Sequence, residues 1–319
     1  MAEAARLAHF PISFFATVMG LAGLAIAWEK AQSSLGLGLP LALPLVGLTA
    51  AVFLAVLALY LAKLVRHPAA VVQELRHPVK LSFFPTISIS IILLGTASLP
   101  LLPTLAHALW WIGTGLHLAF TLYVLNAWIQ QEHFEVQHMN PAWFIPVVGN
   151  VLVPIAGLPL GYVELSWFFF SIGMLFWVVL FTIIFYRVLF HHPIPARLTP
   201  TLFILIAPPA VGFVSYTRLA GGLDSFGRVL FFSAVFLTLL LFTQIGRFAR
   251  LQFFLSWWAY SFPLAAITIA SFVMHDLSGV GAYRMLGIGL LGLLTLVVAM
   301  LCVRTLLAIR AQGICVPEG

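Results

Sequence analysis

Runs of about twenty apolar residues recur along the whole chain, separated by short polar or turn-forming stretches. Ten such runs are legible, at 10–28, 42–64, 81–101, 104–128, 143–160, 165–189, 200–219, 228–246, 252–274 and 283–308. Each approaches the length a helix needs to cross a hydrocarbon core about 30 Å thick. The stretch Val235 to Phe242, broken only by Thr238, is apolar on every face. A membrane β-strand would instead alternate apolar and polar residues over about ten positions. The pattern therefore predicts an all-α polytopic membrane protein occupying residues 1–319 as one transmembrane domain.

Composition agrees and narrows the choice. Of 319 residues, 62% are hydrophobic and 8% charged, and the mean hydropathy is +1.11. Soluble domains carry about 25% charged residues, and disordered chains need low hydrophobicity, so neither class fits. The first apolar run lacks a small-residue cleavage site behind it and reads as a retained helix. The net charge of +6 comes from basic residues scattered among the runs rather than gathered on one face, which argues against a nucleic-acid partner. Cys302 and Cys315 show no metal-ligand spacing, so no disulfide framework or metal site is expected.

With ten spans both termini lie on one side. That side receives Arg6, Lys63, Arg66, Arg76, Lys80, Arg187, Arg197, Arg247, Arg250, Arg304 and Arg310, and the other Lys30, Arg218, Arg228 and Arg284. Basic residues concentrate on the cytoplasmic side, which puts both termini in the cytoplasm.

Proline distinguishes two kinds of span. Pro85, Pro146, Pro154, Pro208, Pro209 and Pro263 fall inside the third, fifth, seventh and ninth spans, and Pro11 opens the first. The even spans have none in their bodies. An interior proline removes a hydrogen bond and bends the helix, and in lipid the freed carbonyls must face protein or water. The expected architecture is ten transmembrane helices as five helical hairpins around a central pore, with bent odd helices inside and straight even helices outside.

Every Asp, Glu, Lys and Arg lies in a connection, a tail or near a span end, with Arg187 and Arg304 expected to snorkel to an interface. A proton-coupled carrier usually keeps carboxylates or histidines in mid-membrane, and cation pores use acidic rings or carbonyl filters. The absence of acids suits anions. His117 in the fourth span is expected to pack and hydrogen-bond. His107 lies ten residues away, about 15 Å along the same helix, too far to share a haem iron with it. No cofactor is expected, and no paired carboxylates or nucleophile–base constellation suggests an enzyme.

Several motifs share a family pattern. Phe10-Pro11-Ile12-Ser13-Phe14-Phe15 with Val18-Met19-Gly20-Leu21-Ala22 resembles the opening of the tellurite-resistance and C4-dicarboxylate transporter family, which includes the plant slow anion channels. Glu74-Leu75-Arg76-His77-Pro78-Val79-Lys80, Asn140 to Asn150, Ala207-Pro208-Pro209 and Trp258-Ala259-Tyr260-Ser261-Phe262-Pro263 resemble it too, in order. The resemblance implies a homotrimer in the bacterial inner membrane with one pore per protomer. It further implies a gate at Phe262, which on the residues alone is one of 28 phenylalanines. Candidate pore-lining or kink positions are Pro11, Gly20, Pro85, Pro146, Gly149, Pro154, Pro208, Pro209 and Pro263. The expected function is a passive channel or facilitator for small inorganic or organic anions. The alternatives are a coupled exporter of an oxyanion such as tellurite or sulfite, or of a C4-dicarboxylate such as malate, and a haem-binding membrane subunit.

Overall fold

A computed structural model describes residues 6–39, 41–130 and 134–316. Glu3, Glu132 and Glu318 lie outside the described residues. The described chain is helical without strands. Among the described residues, nine helices are long and apolar enough to cross a membrane: Ile12–Leu35, Ala42–Arg66, Lys80–Ser98, Pro103–Gln130, Val163–Phe190, Thr199–Leu219, Ser225–Phe242, Leu255–Ser278 and Gly281–Arg310. A shorter apolar helical stretch, Pro141–Gly157, lies between the fourth and fifth of these. Counting it in chain order gives the segments the ordinals used below, with Pro141–Gly157 the fifth.

The even segments are uninterrupted α-helices, whereas every odd segment changes its winding. Ile12–Phe14 is a 3₁₀ turn that runs into the α-helix Phe15–Leu35, with Pro11 just before it. Lys80–Phe83 precedes the α-helix Thr86–Ser98, and Pro85 stands between them. The 8-residue 3₁₀ run Thr199–Ile206 precedes Ala207–Leu219, which carries Pro208 and Pro209 in its first turn. Leu255–Tyr260 precedes Ser261–Ser278, with Pro263 in the first turn. A first-turn residue needs no N–H partner within its helix, so proline is accommodated where a new α-helix begins. The kinks expected from proline are thus changes of winding inside each odd segment.

The fifth segment departs most from the sequence expectation of one helix over 143–160. It is four short pieces, Pro141–Trp143, Phe144–Val148, Gly149–Leu152 and Val153–Gly157, alternately 3₁₀ and α. Such a break leaves carbonyls free, and neighbouring side chains take them up. The Pro146 carbonyl accepts from Thr121 Oγ1 at 2.7 Å and the Val147 carbonyl from Asn150 Nδ2 at 2.7 Å. Val151 accepts from Ser215 Oγ and Val153 from Trp110 Nε1 at 2.9 Å. The fourth and seventh segments, with Asn150 of the fifth itself, therefore supply the partners that make irregular backbone tolerable away from water.

Burial separates the two sets. In each long odd segment 78% of the most apolar stretch is buried, against 22–39% in the even segments. Each odd segment packs on the even segment that follows it, and the odd segments touch one another in the closed order first, third, fifth, seventh, ninth, first. The outer surface is apolar: Leu54, Leu175, Val178, Phe236 and Leu296 are all exposed, as expected of a lipid-facing shell. Arg6 Nη2 donates to the Ile314 carbonyl, so the first and last described stretches lie at one end.

Three charged residues differ from the sequence reading. Arg187 does not snorkel: it is 3% exposed, and its guanidinium donates to the His192 carbonyl. Lys63 and Glu74 are not solvated connection charges but a buried ion pair at 2.7 Å.

Candidate functional site

The ring of odd segments encloses two cavities. The larger, about 390 Å³, has walls of small and aliphatic side chains, among them Gly23, Ile26, Thr96, Ile155, Ala266 and Val273. Its polar end carries Glu29, Lys30, Ser33 and Arg218. The smaller, about 50 Å³, is lined by Met19, Ile89, Phe144, Gly149, Ile204 and Pro208 and some of their neighbours, without a charged side chain. Phe262, Leu152 and Val211 line both. Phe262 is half-buried in a helix whose neighbours Ser261 and Pro263 are buried, and it borders both spaces.

Local sequence explains why the ring sits there. Phe262 is the second residue of the α-helix Ser261–Ser278, immediately after a 3₁₀ run. Room for it comes from the first segment, where a Cβ on Gly23 would lie 3.4 Å from Phe262 Cδ2 and 2.8 Å from Ala265 Cβ. Gly23 did not emerge from the sequence reading. The signal for it is the pair of glycines, Gly20 and Gly23, on one helix, since small residues let membrane helices approach closely.

Of the candidate lining positions, Gly149 and Pro208 face the smaller cavity. Gly20 lines neither and is a contact point: a Cβ there would lie 2.2 Å from Ser261 Oγ and 2.8 Å from Trp258 Cε3. Pro85, Pro146, Pro154, Pro209 and Pro263 are buried in the helix walls, and Pro11 caps the first segment from outside them. None of these six lines either of the two cavities described.

His117 is fully buried behind Gly149, and its Nδ1 lies 2.9 Å from Ser88 Oγ. The Ser88 hydroxyl donates to the Pro85 carbonyl at 2.8 Å, so Nδ1 is the donor to Ser88 and Nε2 is a bare acceptor. His117 lines neither cavity. His107 is exposed and hydrogen-bonds the Tyr162 hydroxyl at 2.7 Å, so the two histidines serve separate packing contacts. Among the described residues no three metal-ligating side chains cluster.

The features so far define a class: a polytopic all-helical membrane protein with mostly apolar cavities among its inner segments, two of which share Phe262, Leu152 and Val211 in their walls. Comparison with known proteins gives the family. The sequence profile of the SLAC1 family, described as voltage-dependent anion channel, matches residues 9–306, and the chain belongs to that family. It is 30% identical over 303 residues to a tellurite resistance protein TehA homolog of Haemophilus influenzae, with 90% of each chain covered. It is 29% identical over 309 residues to the S-type anion channel SLAH3 of Arabidopsis thaliana, covering 94% of this chain and 48% of the plant protein. An uncharacterized transporter of Methanocaldococcus jannaschii, MJ0762, is 26% identical with 90% and 91% covered. The chain spans about half the length of the plant relatives it matches. These relatives carry the names of channels and transporters rather than enzymes, and the chain is a multi-pass membrane protein of an anion-channel family.

Proposed function

We propose that the chain is a passive anion channel whose pore runs through the ring of odd segments and is closed by Phe262. The observation that carries this reading is that Phe262, with Leu152 and Val211, lines both cavities, which makes its ring the bulkiest side chain they share. A ring across a narrow apolar passage blocks it sterically and makes hydration unfavourable. Swinging the ring off its rotamer costs on the order of 1 kcal/mol, so modest rearrangements of neighbours suffice to open it.

A passive mechanism is favoured by the lining. Between the charged end of the larger cavity and Pro208 in the smaller one, no Asp, Glu, His, Lys or Arg lines the path among the described residues. A proton-coupled exporter needs a titratable group in its path, and His117 stands behind the Gly149 wall. The basic-residue bias supports cytoplasmic termini in a bacterial inner membrane. The five helical hairpins, counting Pro141–Gly157 as a crossing, follow from the packing of each odd segment on its even successor. Three such units, each with its own pore, are the assembly the family resemblance implies.

Proteoliposomes loaded with chloride test the function. Chloride should leave down its gradient without a pH gradient, while potassium is retained. Strict dependence on an imposed pH gradient would favour the coupled exporter of an oxyanion or C4-dicarboxylate instead.

A further inference from the structure

The charged end of the larger cavity holds two basic side chains in different circumstances. Lys30 pairs with Asp276 at 2.6 Å, and Ser34 donates to the same carboxylate. Arg218, on the last turn of the seventh segment, donates from Nη1 to the Ile155 carbonyl. No carboxylate among the described residues pairs with Arg218 at contact distance. Glu29 is near enough for the two to interact electrostatically, yet they form no contact ion pair. Arg218 is exposed, and both it and Glu29 line the cavity that ends at Phe262.

A guanidinium carries five N–H donors in a fixed fork and remains charged at any physiological pH. One donor of Arg218 is held by a backbone carbonyl, which fixes the side chain at the cavity wall. Among the described residues no other acceptor takes the remaining donors, and Arg218 lines the larger cavity. Glu29, which interacts electrostatically with Arg218 and Lys30 without a contact ion pair, repels an anion from the same place. Lys30 contributes less, because Asp276 neutralises it.

We propose that Arg218 forms a receiving site for a small monovalent anion at the end of the pore away from the termini, with Glu29 as the opposing charge that keeps occupancy weak. Weak occupancy matters because conduction needs binding strong enough to admit an ion and weak enough to release it. The inference rests on the channel reading above and assigns its outer binding step to named residues. It also gives the pore an asymmetry, since the smaller cavity has no charged lining.

The test is chloride current across planar bilayers, with chloride varied on one face at a time. With chloride varied on the Arg218 face, Arg218→Gln should raise the half-saturating concentration about fivefold, the worth of one unit charge near contact in water-like surroundings. Glu29→Gln should lower it, and Arg218→Lys should stay near wild type. Chloride varied on the terminal face should give the same half-saturation in all of them. Arg218→Gln also removes the Ile155 hydrogen bond, so Glu29→Gln, which leaves that bond in place, carries the test if the first variant fails to fold. Normal currents with unchanged half-saturation in Glu29→Gln, and in Arg218→Gln where it folds, would overturn the proposal. No chloride current in any variant, Phe262→Ala included, would overturn the channel reading and this inference with it.

Discussion

Single positions in this protein matter through the close approach they permit. Gly149 carries the smaller cavity's wall past the His117 ring, and a Cβ there would lie 2.8 Å from His117 Cε1 and Nε2 and from Ile89 Cδ1. The imidazole is tied to Ser88 and cannot retreat without breaking that bond. Gly149→Ala should therefore lower stability by about 1–3 kcal/mol, as overpacking does, read as a lower unfolding midpoint in detergent. Gly246→Ala, where a Cβ meets nothing within 4 Å, should change stability by less than about 0.5 kcal/mol. Gly149 and His117 were both legible as candidates in the sequence, the first through its family motif and the second as an intramembrane histidine. Their contact was not, because it joins the fourth and fifth segments across 32 residues, a pairing no local pattern encodes.

Elements hold together through polar side chains placed where the helices are interrupted. The buried pair of Lys63 and Glu74, 1% and 6% exposed, joins three pieces of chain at the terminal end. Lys63 Nζ also donates to the Phe10 carbonyl at 2.9 Å, Tyr60 donates to Glu74 at 2.9 Å, and the Ile12 N–H reaches Glu74 Oε1. The start of the first segment, the end of the second and the short helix Pro68–Arg76 are thereby fixed together. Removing one partner leaves a buried charge without compensation, which costs about 3–5 kcal/mol. Glu74→Gln or Lys63→Met alone should destabilise by that order, and the Lys63→Met/Glu74→Leu double variant by clearly less than the sum, measured by thermal unfolding. The sequence placed both residues in polar surroundings near a span end, where charges are ordinarily solvated, so nothing in it pointed to a buried pair. The prolines were better indicators. Their confinement to odd spans anticipated which segments are interrupted and buried. The four-piece winding of the fifth segment was hidden, because it depends on donors from Trp110, Thr121 and Ser215 on other segments.

At the scale of the whole molecule, the chain separates a lipid-facing set of straight helices from a buried set whose interruptions surround an axial space. Hydropathy alone made the straight set legible, since those segments need only length and apolarity. The inner set is specified by departures from ideal helix, by small residues and by side chains that satisfy freed backbone, and these gain meaning only in three dimensions. Phe262 is where the two levels meet: family motifs singled out the residue, and it packs beside Gly23 and lines both cavities. The most direct measurement is chloride conductance of the Phe262→Ala protein against wild type in planar bilayers at matched protein density. On the proposed gate, removing the ring should join the two cavities and raise conductance at least about fivefold, the factor that corresponds to a strain on the order of 1 kcal/mol. A Phe262→Ala protein that folds like wild type and conducts no more chloride would contradict it.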